Sequence, residues 1–145
     1  MPRLRPATRA DLPRIHAVRH GVSENRLLDP NVAPEAEVLW YMDEAIFLVA
    51  EDEAGEIQGF ACADARNGYV WALFVIEDAH GSGFGTALHD AVLARFAEAG
   101  LRQAWLTTGD GTSAMRFYER RGWRVTGRSF RGDMVMVRAV EPPSP

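Results

Sequence analysis

The sequence predicts an α/β (α+β) fold, a mixed β-sheet flanked by helices in the order β-α-α-β-β-β-α-β-α-β-β. Three observations carry this expectation. Tyr69 to Val75 (YVWALFV) is a run of aromatic and β-branched residues, the composition of a buried strand. It leads through IEDA and a glycine-rich stretch into ALHDAVLARFAE, where Ala87, Leu88, Ala91, Val92 and Phe96 recur at helical spacing before Gly100. A further strand, Gln103 to Thr108, follows that helix. Two strands joined by a helix must run parallel, with a right-handed crossover.

The remaining elements follow in chain order. Arg3 to Pro6 is a short first strand. Thr8-x-x-Asp11 has the spacing of a capping box and opens a helix through Ile15, Val18 and Arg19 to about Val22. Asn25 to Pro34 contains DPN and AP and is a loop, with a second helix from Pro34 to Met42. Ala45 to Ala50 and Ile57 to Ala63 read as strands joined through Gly55. Asn67-Gly68 is the strongest hairpin signal and leads into Tyr69 to Val75. Beyond Thr108 a helix runs from Thr112 to Arg121. The strands Arg124 to Phe130 and Met134 to Val140 flank Arg131-Gly132-Asp133, and PPSP ends the chain. Residues 1–140 are expected to form one domain and 141–145 a disordered tail.

Composition bounds the partners. The 145 residues are 47% hydrophobic and 25% charged, typical of a globular domain. Sixteen basic residues, all arginine, against 20 acidic ones give a net charge of −4, which argues against nucleic acid. No apolar run is long enough to span a bilayer, and residues 1–10 have no signal-peptide pattern, so no membrane partner and a cytoplasmic location are expected. A lone cysteine, Cys62, excludes an internal disulfide framework.

The glycine-rich turn His80-Gly81-Ser82-Gly83-Phe84-Gly85, set between strand and helix, is an anion site. Glycines let the backbone approach closely, and the first helical N–H groups have no internal acceptors. No lysine follows Gly85, so the Walker pattern fails. The dinucleotide fingerprint fits only as G-x-G-x-x-T, ending at Thr86. The order Val75, His80, Gly83, Gly85 instead resembles V-x-x-x-x-[Q/R]-x-x-G-x-G/A, the acetyl-coenzyme A motif of the GNAT superfamily of N-acetyltransferases, with His80 in place of Gln or Arg. Ala114 to Trp123 (AMRFYERRGW) resembles the family's A-x-x-F-Y-x-x-x-G-F/W segment, with Gly111 where many members have Asn. The likeness runs from Leu4 to about Val140.

The resemblance implies acetyl transfer from acetyl-CoA to an amine within a ternary complex. It implies that the strands either side of the central helix splay and that backbone groups of Leu73, Phe74 and Val75 meet the pantetheine arm. His80, Gly81, Ser82, Gly83, Phe84, Gly85 and Thr86 would hold the pyrophosphate. Tyr118 matches the family's usual general acid, and a backbone N–H near Val75 is the natural oxyanion donor. An alkylamine of pKa about 10.4 is neutral in roughly one molecule per thousand near pH 7.4, a cost of about 4 kcal/mol. The base that meets this cost is open between Glu24, Asp64 and a water relay, since Tyr69 to Val75 carries no carboxylate.

Other residues divide between site and core. Trp40, Tyr41 and Trp71 suit either an acceptor pocket or the core. His16 and His20 stand four apart, but Ala17 replaces the Glu of a zincin, so no metal site is expected. Cys62 reads as buried filler. Asn25, Arg26, Arg128 and Arg131 are candidates for a carboxylate on the acceptor. The expected acceptor is the amine of a small molecule. A peptide or protein amine, and a noncatalytic acyl-CoA sensor, are the alternatives. A homodimer is compatible with the resemblance.

Overall fold

The computed structural model describes residues 2–20, 35–76 and 79–143, and for His20 and Glu35 the backbone alone. The elements follow the predicted order: β1 (Arg3–Pro6), α1 (Leu12–His20), α2 (Glu35–Glu44), β2 (Ile46–Glu51), β3 (Ile57–Asp64), β4 (Tyr69–Val75), α3 (Phe84–Glu98), β5 (Gln103–Thr108), α4 (Ser113–Arg120), β6 (Arg124–Arg128) and β7 (Met134–Ala139). They build a seven-stranded sheet in the order β1-β2-β3-β4-β5-β7-β6. Among the described residues only β4 and β5 pair in parallel, across the α3 crossover; the other neighbours are antiparallel.

Alternation along the strands divides the core between the two faces of the sheet. Ile46, Leu48, Ala61, Ala63, Val70 and Leu106 turn to one face and pack on Leu88, Val92 and Phe96 of α3. Phe47, Val49, Phe60 and Cys62 turn to the other and pack on Ile15 and Val18 of α1 and Val38 and Tyr41 of α2. Full burial of a side chain such as Leu88 or Phe96 contributes roughly 1.5–3 kcal/mol. Cys62 is thus core, as its alanine neighbours implied.

Element ends differ from the sequence reading for local reasons. Thr8 and Asp11 do form the capping box, and the Asp11 carboxylate accepts the Thr8 N–H at 2.7 Å, but the first turn is 3-10 and α1 proper starts at Leu12. Arg5 holds both Asp11 oxygens at 2.8 and 2.9 Å, which brings the carboxyl down to about 2. Phe84, Gly85 and Thr86 belong to the first turn of α3 rather than to the loop, with Gly83 as its left-handed N-cap at φ 88°. β6 ends at Arg128, leaving Phe130 fully exposed in the hairpin.

β4 and β5 share a single register pair, Tyr69 with Trp105, and then part. Their rings stack with centroids 4.3 Å apart, and the Trp105 N–H donates to the Gly68 carbonyl at 2.9 Å. Gly68 makes this junction. Its φ is +76°, and a Cβ there would collide with the carbonyl oxygen of Gln103. Gly68→Ala should therefore cost about 2 kcal/mol or more, several degrees of Tm in a domain of this size. A melt indistinguishable from that of the parent would show that the junction yields.

A buried polar pair joins α3 to the segment after α4. The Trp123 indole N–H donates to His89 Nε2 at 2.9 Å, so the proton sits on Nδ1, which donates to Asp90 at 2.9 Å. His89 is 3% exposed, and burial pushes its pKa below the usual imidazole value. The unfolded chain then binds a proton that the fold refuses, so this contribution is present above about pH 6.5 and is lost as pH falls through the lower folded value. His89→Gln keeps an acceptor for Trp123 and should flatten the decline in Tm between pH 6.5 and 5. Equal slopes in the two proteins would remove His89 as the cause.

Candidate functional site

The parting of β4 from β5 opens a cleft of about 410 Å³. Its walls are Leu73, Phe74 and Val75 of β4, Ala79 to Thr86 in the turn and α3, and Ser113, Ala114, Phe117, Tyr118, Arg120 and Arg121 of α4 and its end, with Ser82 and Phe84 in the same turn not lining it directly. The residues singled out in the glycine-rich turn and around Tyr118 thus surround one cavity, although they lie more than thirty positions apart.

Hydrogen-bond alternation decides which backbone groups of β4 are open to the cleft. The Ile76 N–H donates to Gln58 of β3 at 2.9 Å, and a Cβ on Gly59 would meet the Phe74 carbonyl at 2.8 Å. Ile76 and Phe74 therefore turn their backbone groups to β3, and Leu73 and Val75 turn theirs to the gap. Phe74 lines the cleft without an available amide, which narrows the expected trio to two. The β3–β4 register slips at Trp71, between the pairs Ala63 with Val70 and Cys62 with Ala72. This bulge is absent from any pattern visible in YVWALFV.

At the opposite wall α3 points its N-terminus into the cleft. The Ala87 N–H reaches back to Gly83 at 3.0 Å, so the amides of Phe84, Gly85 and Thr86 precede the first intrahelical bond. Gly81 and Gly83 both have positive φ, the conformation that lets this turn expose its backbone. The His80 side chain bends inward, its Nε2 donating to the Val75 carbonyl at 2.8 Å. It closes the turn onto the strand end.

α4 is clamped over the start of α3. A Cβ on Gly85 would lie 3.1 Å from the Phe117 ring, so only glycine admits this ring at normal separation. Arg121 lies 3.6 Å from the centroid of the Phe117 ring and donates to Thr86 and to the Phe117 carbonyl. Thr112 caps α4 by accepting the Met115 N–H at 3.1 Å. Tyr118 is 7% exposed, with its ring edge-on to Phe117 and Trp123. Burial pushes its phenol well above the usual range, so the hydroxyl stays protonated. Among the described residues no hydrogen-bond partner holds that hydroxyl.

The other expected site residues are distributed unevenly. Glu24, Asn25 and Arg26 lie outside the described residues. Asp64 is buried, and both its oxygens accept from Arg66, which holds its carboxyl below the usual range. Arg128 bonds Asp110 and the Gly132 carbonyl, while Arg131 is exposed. Tyr41 is core, stacked on Trp71 at 4.7 Å, and partly exposed Trp40 lies under Arg66. Among the described residues no three His, Cys, Asp or Glu side chains are grouped to hold a metal, and no helix is long and apolar enough to cross a membrane. Sequence reasoning missed His89, Arg121 and Arg19. The first two act on partners some 34 positions away.

Known proteins share both the sequence and the architecture. The Acetyltransferase (GNAT) family matches residues 15–123. An uncharacterized N-acetyltransferase of Mycobacterium tuberculosis is 34% identical over 116 residues, covering 72% of this chain and 73% of that protein. In fold, the chain superposes on a GNAT-family acetyltransferase from Staphylococcus aureus with a TM-score of 0.82 at 19% identity, covering 97% of this chain and 100% of the other. PaiA N-acetyltransferase from Thermoplasma acidophilum, solved in complex with coenzyme A, gives 0.80 at 15% identity, covering 96% and 99%. The motifs read around Val75 to Gly85 and Ala114 to Trp123, the parted strands and the sequence match agree: this chain belongs to the GNAT family of acetyltransferases.

Proposed function

We propose that the protein transfers an acetyl group from acetyl-CoA to a primary amine of a small molecule, by direct attack in a ternary complex. The observation that carries this reading is the cleft itself. One end offers unpaired helix amides, one wall offers strand backbone, and a protonated phenol faces the interior. These features suit a long ligand that is anionic at one end and reactive at the other.

In this reading the amides of Phe84, Gly85 and Thr86, with Gly81 and Gly83 shaping the turn, hold the pyrophosphate. His80 contributes by tying the turn to Val75, and Arg120 and Arg121 add positive charge to the same wall. The gap-facing backbone of Leu73 and the N–H of Val75, whose carbonyl His80 holds, pair with the amides of the pantetheine arm, and an N–H there donates to the developing oxyanion. Acetyl-CoA supplies the acetyl group as a thioester. Tyr118 gives its proton to the departing sulfur, a role suited to a phenol that burial keeps protonated. The small-molecule acceptor is favoured by the absence of any charge run in the sequence that would dock a polymer. The proposal includes a cytoplasmic setting, with which the buried, unpaired Cys62 is consistent.

A thermal melt tests the ligand. Acetyl-CoA at about a hundred times its Kd should add roughly 2.7 kcal/mol of stability, a shift of several degrees that ATP and NAD at equal concentration do not reproduce. An equal shift with ATP would sink the assignment. Tyr118→Phe preserves the buried ring and removes the proton. It should lower kcat for thiol release on the order of 100-fold or more while acetyl-CoA still stabilises the fold. Unchanged kcat would take the acid role from Tyr118, and a wild-type protein that binds acetyl-CoA yet turns over no amine would favour the sensor reading.

A further inference from the structure

The face of the sheet opposite α3 carries six described arginines close to α1, α2 and the adjoining strands. Five of them have carboxylate partners. Arg3 lies 3.7 Å from Glu51, Arg5 holds Asp11, Arg9 holds Asp43 at 2.6 Å, Arg14 lies 3.3 Å from Glu56, and Arg66 holds Asp64 at 2.8 Å. Arg19 is the exception. No carboxylate among the described residues stands within ion-pair distance of it, and Glu37 acts on it only from farther away.

Arg19 is nonetheless placed with care. Its guanidinium lies 5.4 Å from the Trp71 ring and 5.9 Å from the Phe74 ring, so two aromatic faces cover it. It is half-buried, and burial lowers its pKa, against the weaker opposing pull of Cys62 and Glu37. Ring contacts engage the face of a guanidinium and leave its in-plane N–H fork free. That fork suits the two oxygens of a carboxylate. Trp71 and Phe74 bracket Leu73 on β4, the strand whose gap-facing edge lines the cleft. Arg19 therefore stands on the face of β4 turned away from α3, beside the strand whose residues Leu73, Phe74 and Val75 line the cavity.

We propose that Arg19 anchors a carboxylate carried by the acceptor, so that the amine acetylated is that of an amino acid or a closely related amino-carboxylic acid. This rests on the acetyl-transfer reading above. Trp71 and Phe74 position the guanidinium, and Arg19 sets specificity without touching the reacting atoms.

The test compares thiol release from acetyl-CoA with a panel of L-amino acids, their carboxamides and the corresponding decarboxylated amines. For the best side chain, the acid should exceed its carboxamide in kcat/KM by on the order of 10- to 100-fold, the size of a charge-assisted bidentate contact. Arg19→Lys keeps charge and ring contact but loses the fork. It should raise KM for the acid, leave KM for acetyl-CoA unchanged and leave the carboxamide rate unchanged. Arg19→Gln should abolish the preference. The melting temperature of each variant, and its shift with acetyl-CoA, reports folding and cofactor binding separately. Acids that give no more thiol release than their carboxamides, including none at all, would overturn the proposal. So would an Arg19→Lys effect equal for acid and carboxamide. Turnover of plain amines without preference for acids would leave acetyl transfer standing and remove only the role of Arg19.

Discussion

The site depends on two parallel strands that meet at one residue pair and then separate. A sheet normally satisfies its backbone by pairing, and buried N–H and C=O groups left unpaired are expensive. Where β4 leaves β5 beyond Tyr69 and Trp105, the gap-facing groups of Leu73 and Val75 lose their strand partner, and the Val75 carbonyl takes His80 instead. The fold thereby creates a row of donors and acceptors that a linear ligand with amide groups can complete. Gly68 makes this geometry accessible by allowing the chain to turn into β4 against the Gln103 backbone. The sequential neighbour relation of β4, α3 and β5 then puts a helix N-terminus at the mouth of the gap.

What keeps the gap in shape is the clamp between α3 and α4. Gly85 makes room for Phe117, Arg121 lies over that ring, and the same guanidinium reaches Thr86. Beneath them His89 accepts from Trp123, whose ring stands against Tyr118. A buried, hydrogen-bonded histidine is a costly way to fill space, but it fixes the orientation of Trp123 more tightly than a hydrocarbon neighbour does. The phenol proposed to do proton chemistry thus rests on a polar contact between two other elements.

The strand–turn–helix stretch from Tyr69 to Glu98 was legible because composition and periodicity there are local properties, and so was the Phe117-Tyr118 segment. The turn ends two residues before Gly85 because the helix starts at Phe84 behind the positive φ of Gly83, which letters alone do not reveal. The slip in register at Trp71 stayed hidden for a related reason, since a bulge is a relation between two strands. Arg19 and His89 were illegible in a stronger sense. Sixteen arginines look alike in a list; only the pairing of the neighbouring ones shows that this one lacks a carboxylate among the described residues. Asp64 illustrates the reverse: a carboxylate that looked available as a base is engaged by Arg66 two residues away.

Deprotonation of the acceptor and the proposed anchor bear on each other. β4 contains no carboxylate, and both oxygens of the Asp64 carboxylate are held by Arg66, which weakens it as a proton acceptor. In an amino acid the ammonium is stabilised by its own carboxylate, an opposite charge only a few ångströms away. A guanidinium that takes both oxygens of that carboxylate neutralises this partner, and its own positive charge disfavours a second cation beside it. Both effects lower the pKa of the amine, and each unit removes about 1.4 kcal/mol from the cost of forming the nucleophile. An arginine that binds the acceptor on the far side of β4 therefore does part of what a general base does, without accepting a proton.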